Sequence, residues 1–483
     1  MNTYENPVLY QVSPEMMNLS GGETALFNLL LATWQRHFSS NIRNEAYYRG
    51  KVKPVTSDPQ MPEQLRNLDI VSGWGGKCVD VLANRSVLTG FGGDDSDALL
   101  AALGGIDMAS LYDQAVTSEL IDSCSFLTVS KGLPGEPGAI VSAHSALDAA
   151  AIWDERRKRI KAGICVIDVE EDESGMRVPS WVNMYTDEYT YSCRKSGAVW
   201  TAEKVPNPLG RPLMEPLRYR PTLTQPFGRS RISRTVRSLI DRAMCVASRT
   251  EITATFYTWP MRYLLGVDKK TAETMAKRKV EMYADSMLLV TPNKNGEIPQ
   301  LGQLSQMTMQ PHLDHLEMLG KQFASEACIP LDEIGIVFDN PSSADALYAA
   351  QQRLVVEAEH VNRMNGDALS VIARMAVAAD SQSPASAFEQ ADVTPIFADV
   401  LRPSKAARAD FAIKVGSAVP GYSQTRQFWR DLGYPESTID SVMRDIRYAQ
   451  TAQAAANAAA QAAAQAAAPA PKGVDGADSG EQA

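Results

Sequence analysis

One stretch, residues 226–262, constrains the fold of this chain more than any other. After the breakers Pro226 and Gly228, apolar residues recur at steps of three and four, as on one face of an α-helix. They are Ile232, Val236, Leu239, Ile240, Ala243, Val246 and Ala247. We predict a helix over residues 229–257, capped by Ser230 and roughly 40 Å long at 1.5 Å per residue. A helix of this length usually spans from one part of a molecule to another.

The polar side of this helix is rich in arginine. The residues opposite the apolar stripe are Arg231, Arg234, Ser238, Asp241, Cys245 and Arg249. Arg237 and Asp241 have the i,i+4 spacing of an ion pair on a helix surface. The pattern therefore predicts one packed face and one cationic face.

The elements after this helix come in an unusual order. Residues 260–309 have the composition of a small mixed module, and a second helix is predicted over residues 312–328. Its apolar face consists of Leu313, Leu316, Leu319 and Phe323. The short segment 329–343 follows, and then a much longer helix begins. The chain thus goes out along one helix and returns along another.

That longer helix has a clear start. Ser342 followed by Asp345 is close to a capping box, and the helical pattern continues to Ala379. Gly366 is the expected site of a bend, because glycine lowers helix propensity by about 1 kcal/mol relative to alanine. Short helices are predicted over residues 394–450. The Ala-rich tail, residues 451–483, is predicted to be transiently helical to Ala468 and then disordered.

The first half of the chain mixes helices and strands. Helices are predicted over residues 21–50, 74–85 and 109–122, with a turn over residues 89–95. From Cys124 onward, short runs of β-branched and aromatic residues alternate with Gly/Pro-rich turns, which is typical of antiparallel strands. One helix, residues 147–161, is expected to interrupt them. The fold class is therefore α+β, a mostly antiparallel sheet covered by helices.

Charge and cysteine content exclude some classes of protein. The formal net charge of −10 weighs against a protein that wraps DNA tightly, because such affinity comes mainly from many Lys and Arg contacts to phosphate. The cysteines are scattered and form no C-x-x-C pair, so we predict reduced thiols and no disulfide framework. We predict no secretory signal, and the apolar run at residues 26–32 is too short to cross a membrane.

No catalytic motif stands out. The sequence GWGGKC at residues 73–78 lacks the first glycine and the Ser or Thr of a phosphate-binding loop. His312 and His315 could share a metal, but no third ligand lies near them in the sequence. The acidic run at residues 169–174, with Glu170 and Asp172, leaves open a metal-dependent nuclease or hydrolase as an alternative. We otherwise predict no enzyme, no cofactor and no metal site.

Five motifs, taken in their order along the chain, resemble the SPP1-type portal family of tailed bacteriophages. They are YYRGK at residues 47–51, VDVLANRSVLTGF at 79–91, FGRSRIS at 227–233, IPLDEIG with NPSSADA within 329–346, and FWRDLGYPESTID at 428–440. The order of long helix, small module, return helix, loop and longer helix also matches that family.

The resemblance implies a ring-forming portal fold with a helical stem, a small α/β clip, a mixed α/β wing and a helical crown. The implied divisions are an N-terminal arm (1–20), wing (21–228), first stem helix (229–257), clip (258–309), second stem helix (310–328), tunnel loop (329–343), long wing helix (344–393), crown (394–450) and Ala-rich tail (451–483).

The resemblance also implies candidate site residues. Those of the tunnel loop, expected to line a channel, are Asp332, Glu333, Ile334, Ile336, Val337, Phe338 and Asp339. The run 334–338 is apolar, and an exposed apolar run that is not core usually marks an interaction surface. No lysine lies in this loop, so a basic ring that grips DNA is not expected. Those of the stem are Arg229, Arg231, Arg234, Arg237, Asp241 and Arg249. Two uses of these arginines stay open, ion pairs between subunits and contact with a passing duplex.

The implied function is a homododecameric ring at one capsid vertex, assembled in the host cytoplasm, through which double-stranded DNA is packaged and ejected. The implied partners are the terminase large subunit, the major capsid and scaffolding proteins, and a head-completion protein, with no membrane contact. The ring would also initiate head assembly. A channel-less oligomeric adaptor is a further alternative.

Overall fold

The computed structural model describes residues 18–53, 70–171, 177–197, 199–258, 262–266, 300–303, 308–336, 344–401, 405–434 and 436–466, with single residues 269, 273, 296 and 298. The chain divides into two compact units, Met1–Val400 and Leu401–Ala483.

The first unit contains both helices and strands. In chain order they are α1 (Gly21–Tyr48), α2 (Trp74–Ala83), β1 (Leu88–Gly92), α3 (Ser96–Leu103), α4 (Met108–Asp122), β2 (Cys124–Lys131), β3 (Ala139–Ser145), β4 (Ala149–Asp154), β5 (Arg159–Glu171), β6 (Arg177–Tyr185), β7 (Tyr189–Ser196), β8 (Val199–Pro206), β9 (Met214–Arg218), α5 (Arg234–Thr258), β10 (Arg262–Leu265), β11 (Gln300–Gln303), α6 (Gln310–Ala327), α7 (Ala344–Asp380), α8 (Pro384–Gln390) and β12 (Thr394–Phe397). The predicted mixture of helices and sheets is confirmed.

The larger sheet is a meander covered by α1. Among the described residues, β4 to β8 form an antiparallel sheet in chain order. Helix α1 starts at a capping box in which Ser20 and Glu23 bond each other's backbone. Its buried Phe27 meets the Trp200 ring of β8 edge-on, with centroids 5.7 Å apart. The Trp34 indole donates to the Leu147 carbonyl at 2.6 Å, which ties α1 to the loop before β4.

The helix predicted over residues 147–161 is wrong. These residues form β4, a turn and the start of β5, with Ile152 opposite Ala162 and Asp154 opposite Arg159. The Asp154 side chain accepts the backbone N–H groups of Arg156 and Arg157, which closes the turn. A charged run that resembles a helix surface is therefore the exposed tip of a hairpin.

The smaller sheet lies in the main hydrophobic core. It has the order β3-β2-β9, and α4 and α7 pack on it. The same core takes in the apolar faces of α2, α5 and α6. The turn predicted over residues 89–95 is limited to residues 93–95, because β1 occupies Leu88–Gly92 and pairs with β12. Gly366, where we predicted a bend, lies within the uninterrupted α7, and the β-carbon it lacks would sit 3.6 Å from the Phe397 ring of β12.

A buried polar cluster, the Glu119 cluster, joins α4 to α7. The Asn365 amide donates to Glu119 Oε2 at 2.6 Å and to the Tyr112 hydroxyl at 3.1 Å, and Ser86 Oγ lies 2.7 Å from that hydroxyl. Glu119 is fully buried. Burial raises the pKa of Glu119 to about 8, although the bond from Asn365 opposes the shift. The carboxyl is therefore mostly protonated at neutral pH.

The second unit is helical where it is described. It contains α9 (Lys405–Ala418), a 3₁₀ turn (Tyr422–Gln424), α10 (Arg426–Asp431) and α11 (Glu436–Ala466). The short helices predicted over residues 394–450 start later than expected, because Thr394–Phe397 is β12 and pairs with β1. Helix α11 extends through much of the Ala-rich tail to Ala466, and the tail beyond it lies outside the described residues.

Two further predictions concern the cysteines and membrane-spanning segments. All six cysteines are free thiols, as predicted, and four of them are buried. No helix in the described part of the chain combines the length and apolarity that a membrane span requires.

Candidate functional site

The first candidate site is an antiparallel pair formed by α5 and α6, which we call the helix pair. Thr253 Oγ1, near the end of α5, lies 3.3 Å from His312 Nε2, near the start of α6. At the opposite end, the Arg231 side chain donates to the Ala327 carbonyl. Leu239 and Phe323 are both buried in the core that the two helices share. The two predicted helices therefore lie side by side.

Helix α5 begins later than predicted. Ser233 caps it, because its Oγ accepts the Val236 N–H at 3.2 Å. Ser230, the predicted cap, donates its hydroxyl to the Ile121 carbonyl at the end of α4. Arg231 and Ile232, which lie between these serines, connect the helix pair to the rest of the first unit.

Arg231 is buried at this connection, with 6 % of its surface exposed. Its guanidinium donates to the Cys78 and Ala327 carbonyls and, at 2.9 Å, to the Tyr219 hydroxyl. Its Nη1 lies 4.0 Å from Glu357 of α7. The prediction that Arg231 lies on an exposed cationic face is wrong, because partners from distant parts of the sequence enclose its charge.

Glu357 completes what we call the Arg231 cluster: Arg231, Tyr219, Arg220 and Glu357. Arg220 donates to both carboxylate oxygens of Glu357, and the Tyr219 hydroxyl donates to one of them. Burial by itself would raise the pKa of Glu357, but the bonds from Arg220 and Tyr219 outweigh burial and lower it. A buried charge network of this kind holds α7 and the helix pair in one arrangement.

The predicted Arg237–Asp241 ion pair does not form. The Arg237 guanidinium donates to Asn44 Oδ1 at 2.8 Å, and Asp241 accepts the Tyr47 hydroxyl at 2.9 Å. Both partners belong to α1. The two residues therefore fasten α5 to α1.

The exposed arginines are a smaller set than predicted. Arg229, Arg234 and Arg249 are exposed, and so is Arg242, which the sequence analysis did not single out. Arg242 lies eight positions after Arg234, and this helical spacing could have found it. An open groove of about 580 Å³ between α5 and α6 is lined by Arg234, Thr235, Ser238, Leu239, Arg242, Gln322, Ser325 and Glu326.

The second candidate site is the segment after α6. Leu331–Ile334 forms a 3₁₀ turn whose Asp332 is exposed, and Glu333 lies 3.9 Å from Lys77 of α2. Ile334 and Ile336 are half-buried. Both residues pack on α6 at Gly320, and their place in a channel lining stays a prediction. The other candidates, Val337, Phe338 and Asp339, lie outside the described residues.

Because Gly320 of α6 has no side chain, it leaves the space that Ile334 and Ile336 occupy. A β-carbon there would lie 2.8 Å from Ile336 Cδ1 and 3.3 Å from Ile334 Cδ1. We expect Gly320→Leu to displace both isoleucines and speed amide exchange over residues 331–336 by about tenfold. Hydrogen exchange with mass spectrometry measures this. Lys321→Leu, at an adjacent exposed position, is the control, and equal exchange in both variants would contradict the packing role.

Nothing among the described residues supports the metal-dependent alternative. No group of three His, Cys, Asp or Glu side chains in this part of the chain could hold a metal ion. Glu170 lies near the end of β5, paired with Val178, while Asp172 is outside the described residues. His312 contacts Thr253.

The described geometry defines a structural class: a mixed α/β body tied by a buried charge network to an antiparallel helix pair. The particular family follows from comparison with known proteins. The chain belongs to the phage portal proteins described as SPP1 Gp6-like, because that family model matches residues 28–430. The predicted resemblance is confirmed. The prediction that the chain is not an enzyme is also confirmed, since portal proteins are structural.

Two phage proteins, each named portal protein, match this chain over most of their length. The portal protein of Mycobacterium phage L5 is 25% identical over 426 residues, covering 83% of this chain and 84% of the relative. That of Mycobacterium phage D29 is 24% identical over 431 residues, covering 84% of this chain and 85% of the relative.

Solved structures with some likeness come from gene transfer agent particles. A chain of the native particle's virion has a TM-score of 0.43 and 14% identity, covering 82% of this chain and 99% of that one. A chain of the native particle's neck, computed with C12 symmetry, has a TM-score of 0.42 and 13% identity. The match covers 82% of this chain and 98% of that one.

Proposed function

We propose that copies of this chain close into a ring around an axial channel at one vertex of a phage capsid. Family membership over residues 28–430 is the observation that carries this proposal. Contacts between two different faces of neighbouring copies produce closed rings when the rotation between copies closes. The resemblance to the family implies twelve copies.

Double-stranded DNA passes through this channel during packaging and ejection. The net charge of −10 supports a conduit rather than a tight binder, because few contacts to phosphate leave DNA free to slide. The exposed Asp332 and the neighbouring Glu333 belong to the loop that would line the channel. Carboxylates at that position repel phosphate.

The ring initiates head assembly in the host cytoplasm and then docks other proteins. The terminase large subunit supplies the work of packaging, the major capsid and scaffolding proteins surround the ring, and a head-completion protein closes it. These partners follow from the portal role. Helices α5 and α6 are assigned to the stem, residues 258–309 to the clip, and residues 329–343 to the tunnel loop. The wing comprises residues 21–228 and the long helix over residues 344–393, and the crown comprises residues 394–450.

The channel aperture changes when the stem and the tunnel loop shift together. The contact of Ile334 and Ile336 with α6 at Gly320 supports this coupling, because a movement of α6 displaces the segment packed on it. Trp74 of α2 stacks on Phe323 of α6, with ring centroids 4.9 Å apart, and extends the contact to the body.

Two experiments test the proposal. Negative-stain images of the purified protein are expected to show rings with a central hole, and compact monomers would contradict it. Deleting residues 333–338 is expected to leave the rings intact but impair packaging or retention of DNA. Normal titres of full heads from that deletion would count against the role of the loop.

A further inference from the structure

We infer that residues 8–13, which we call the arm strand, pair with strand β8 of the same copy and extend the five-stranded sheet by one strand. The N-terminal arm then covers the outer edge of that sheet. This pairing requires no ring, because the arm strand and β8 belong to one chain.

Strand β8 is an open edge of the larger sheet. It pairs with β7 on one side, from Val199 opposite Ser196 to Pro206 opposite Tyr189, and no described strand pairs with its other side. Half of the backbone N–H and C=O groups of such an edge strand point away from the sheet and can pair with a further strand. The strand is about 26 Å long, which is enough to receive the six residues of the arm strand.

The outer face of β8 adds apolar surface to this edge. Trp200 and Ala202 pack in the core that α1 shares with the sheet, so the residues that alternate with them point to the opposite face. Two of those residues, Val199 and Val205, are 53 % and 54 % exposed. An open edge with exposed β-branched residues pairs readily with another strand, and natural proteins usually cover it.

Helix α1 brings the arm to this edge. It crosses the sheet from β8 towards β4, so its N-terminus lies at β8. In its first turn, Glu23 accepts bonds from the Lys204 ammonium of β8 at 2.8 Å and from the Tyr191 hydroxyl of β7 at 2.7 Å. Leu19, just before the helix cap, packs on the same core. The residues that precede α1 therefore start beside the open edge.

The arm contains a short sequence typical of a strand. Residues 8–13, VLYQVS, are rich in β-branched and aromatic residues and lie between Pro7 and Pro14. Proline at each end limits the strand to these six residues, because proline cannot donate a backbone bond. Alternation places three apolar side chains on one face, where they match the exposed valines of β8. They are Val8, Tyr10 and Val12.

The connection between the arm strand and α1 favours pairing within one copy. Residues 14–19 lie between the arm strand and the Ser20 cap, and six extended residues span at most about 20 Å. Residue 13 therefore stays within reach of β8. A flexible tether this short keeps the arm strand at a local concentration in roughly the millimolar range. The arm of another copy, or a strand of another protein, competes only from a lower concentration.

Photo-crosslinking identifies what occupies the edge. With p-benzoylphenylalanine in place of Tyr10 in the full chain, we expect ultraviolet light to link the arm to residues 199–206, as mapped by mass spectrometry. The linked product is expected to have monomer mass on a denaturing gel. The same link in a product of dimer mass would overturn the assignment to one copy and identify a neighbouring arm as the occupant. A link to a different part of the chain, or no link to β8, would overturn the pairing itself.

Hydrogen exchange distinguishes a paired strand from a loose contact. Neighbouring residues of a strand point their N–H groups in opposite directions, so only one of Tyr10→Pro and Gln11→Pro removes a bond to β8. We expect that variant to speed amide exchange over residues 199–206 about tenfold and the other to leave it unchanged. Tyr10→Ala, which keeps the N–H, is the matched control for loss of the ring, and exchange over β3 is the internal control. Equal exchange over β8 in both proline variants would show that the arm does not pair as a strand.

Discussion

Replacing Glu357 with alanine is expected to lower the free energy of unfolding by about 3–5 kcal/mol, the usual effect of removing one partner from a buried ion pair. The carboxylate accepts bonds from Arg220 and Tyr219 and lies 4.0 Å from Arg231. Without it, the Arg231 guanidinium stays buried with no opposite charge. Denaturant unfolding followed by far-UV circular dichroism measures the change.

Two further variants test the cause. Glu359→Ala removes an exposed carboxylate from the same helix, and we expect a change within about 0.5 kcal/mol. The double variant Arg231→Met with Glu357→Leu removes both fully buried charges and leaves only that of Arg220, whose side chain is 40 % exposed, so it is expected to be more stable than Glu357→Ala. A double variant no more stable than the single one would show that cavity formation, rather than an unpaired charge, dominates.

The Glu119→Gln variant is expected to be more stable than the natural protein at alkaline pH. The pKa of Glu119 is about 8 in the folded chain and 4.5 as the reference value. The folded state therefore holds a proton that the unfolded state releases, and stability falls as pH rises from about 4.5 to about 8. This shift corresponds to an effect on the order of 4–5 kcal/mol above pH 8.

Glutamine keeps the shape of the protonated acid and cannot ionise. The two proteins are expected to unfold at similar temperatures near pH 5, and the variant at a higher temperature near pH 9. Glu188→Gln, at an exposed position, is expected to follow the natural protein at every pH. A temperature difference that does not grow between pH 5 and pH 9 would mean that Glu119 is already ionised in the folded state.

Periodicity in the sequence predicted the long elements well. The apolar stripe predicted for α5 is buried at Val236, Leu239 and Ile240. These elements were predictable because a helix of several turns repeats its signal many times. The hairpin of β4 and β5 was not, because its short apolar run and charged turn fit helical spacing equally well.

The candidate site was harder to predict than the elements that carry it. Arg231 and Arg237 have the spacing of surface residues, yet Glu357, Cys78 and Asn44, all distant in sequence, decide their positions. Side-chain spacing within one helix contains no information about such partners. Periodicity located the two helices, and only the three-dimensional packing separated the buried arginines from the exposed ones.

Helix α7 contributes to three junctions at once. Glu357 belongs to the Arg231 cluster, Asn365 bonds Glu119, and Gly366 packs on β12. Because the helix is unbroken, Glu357 and Gly366 are held about 14 Å apart with no joint between them. A rotation of the helix pair at the Arg231 cluster therefore cannot be absorbed by a bend between Glu357 and Gly366. It must turn the entire rod, and with it the ribbon of β1 and β12.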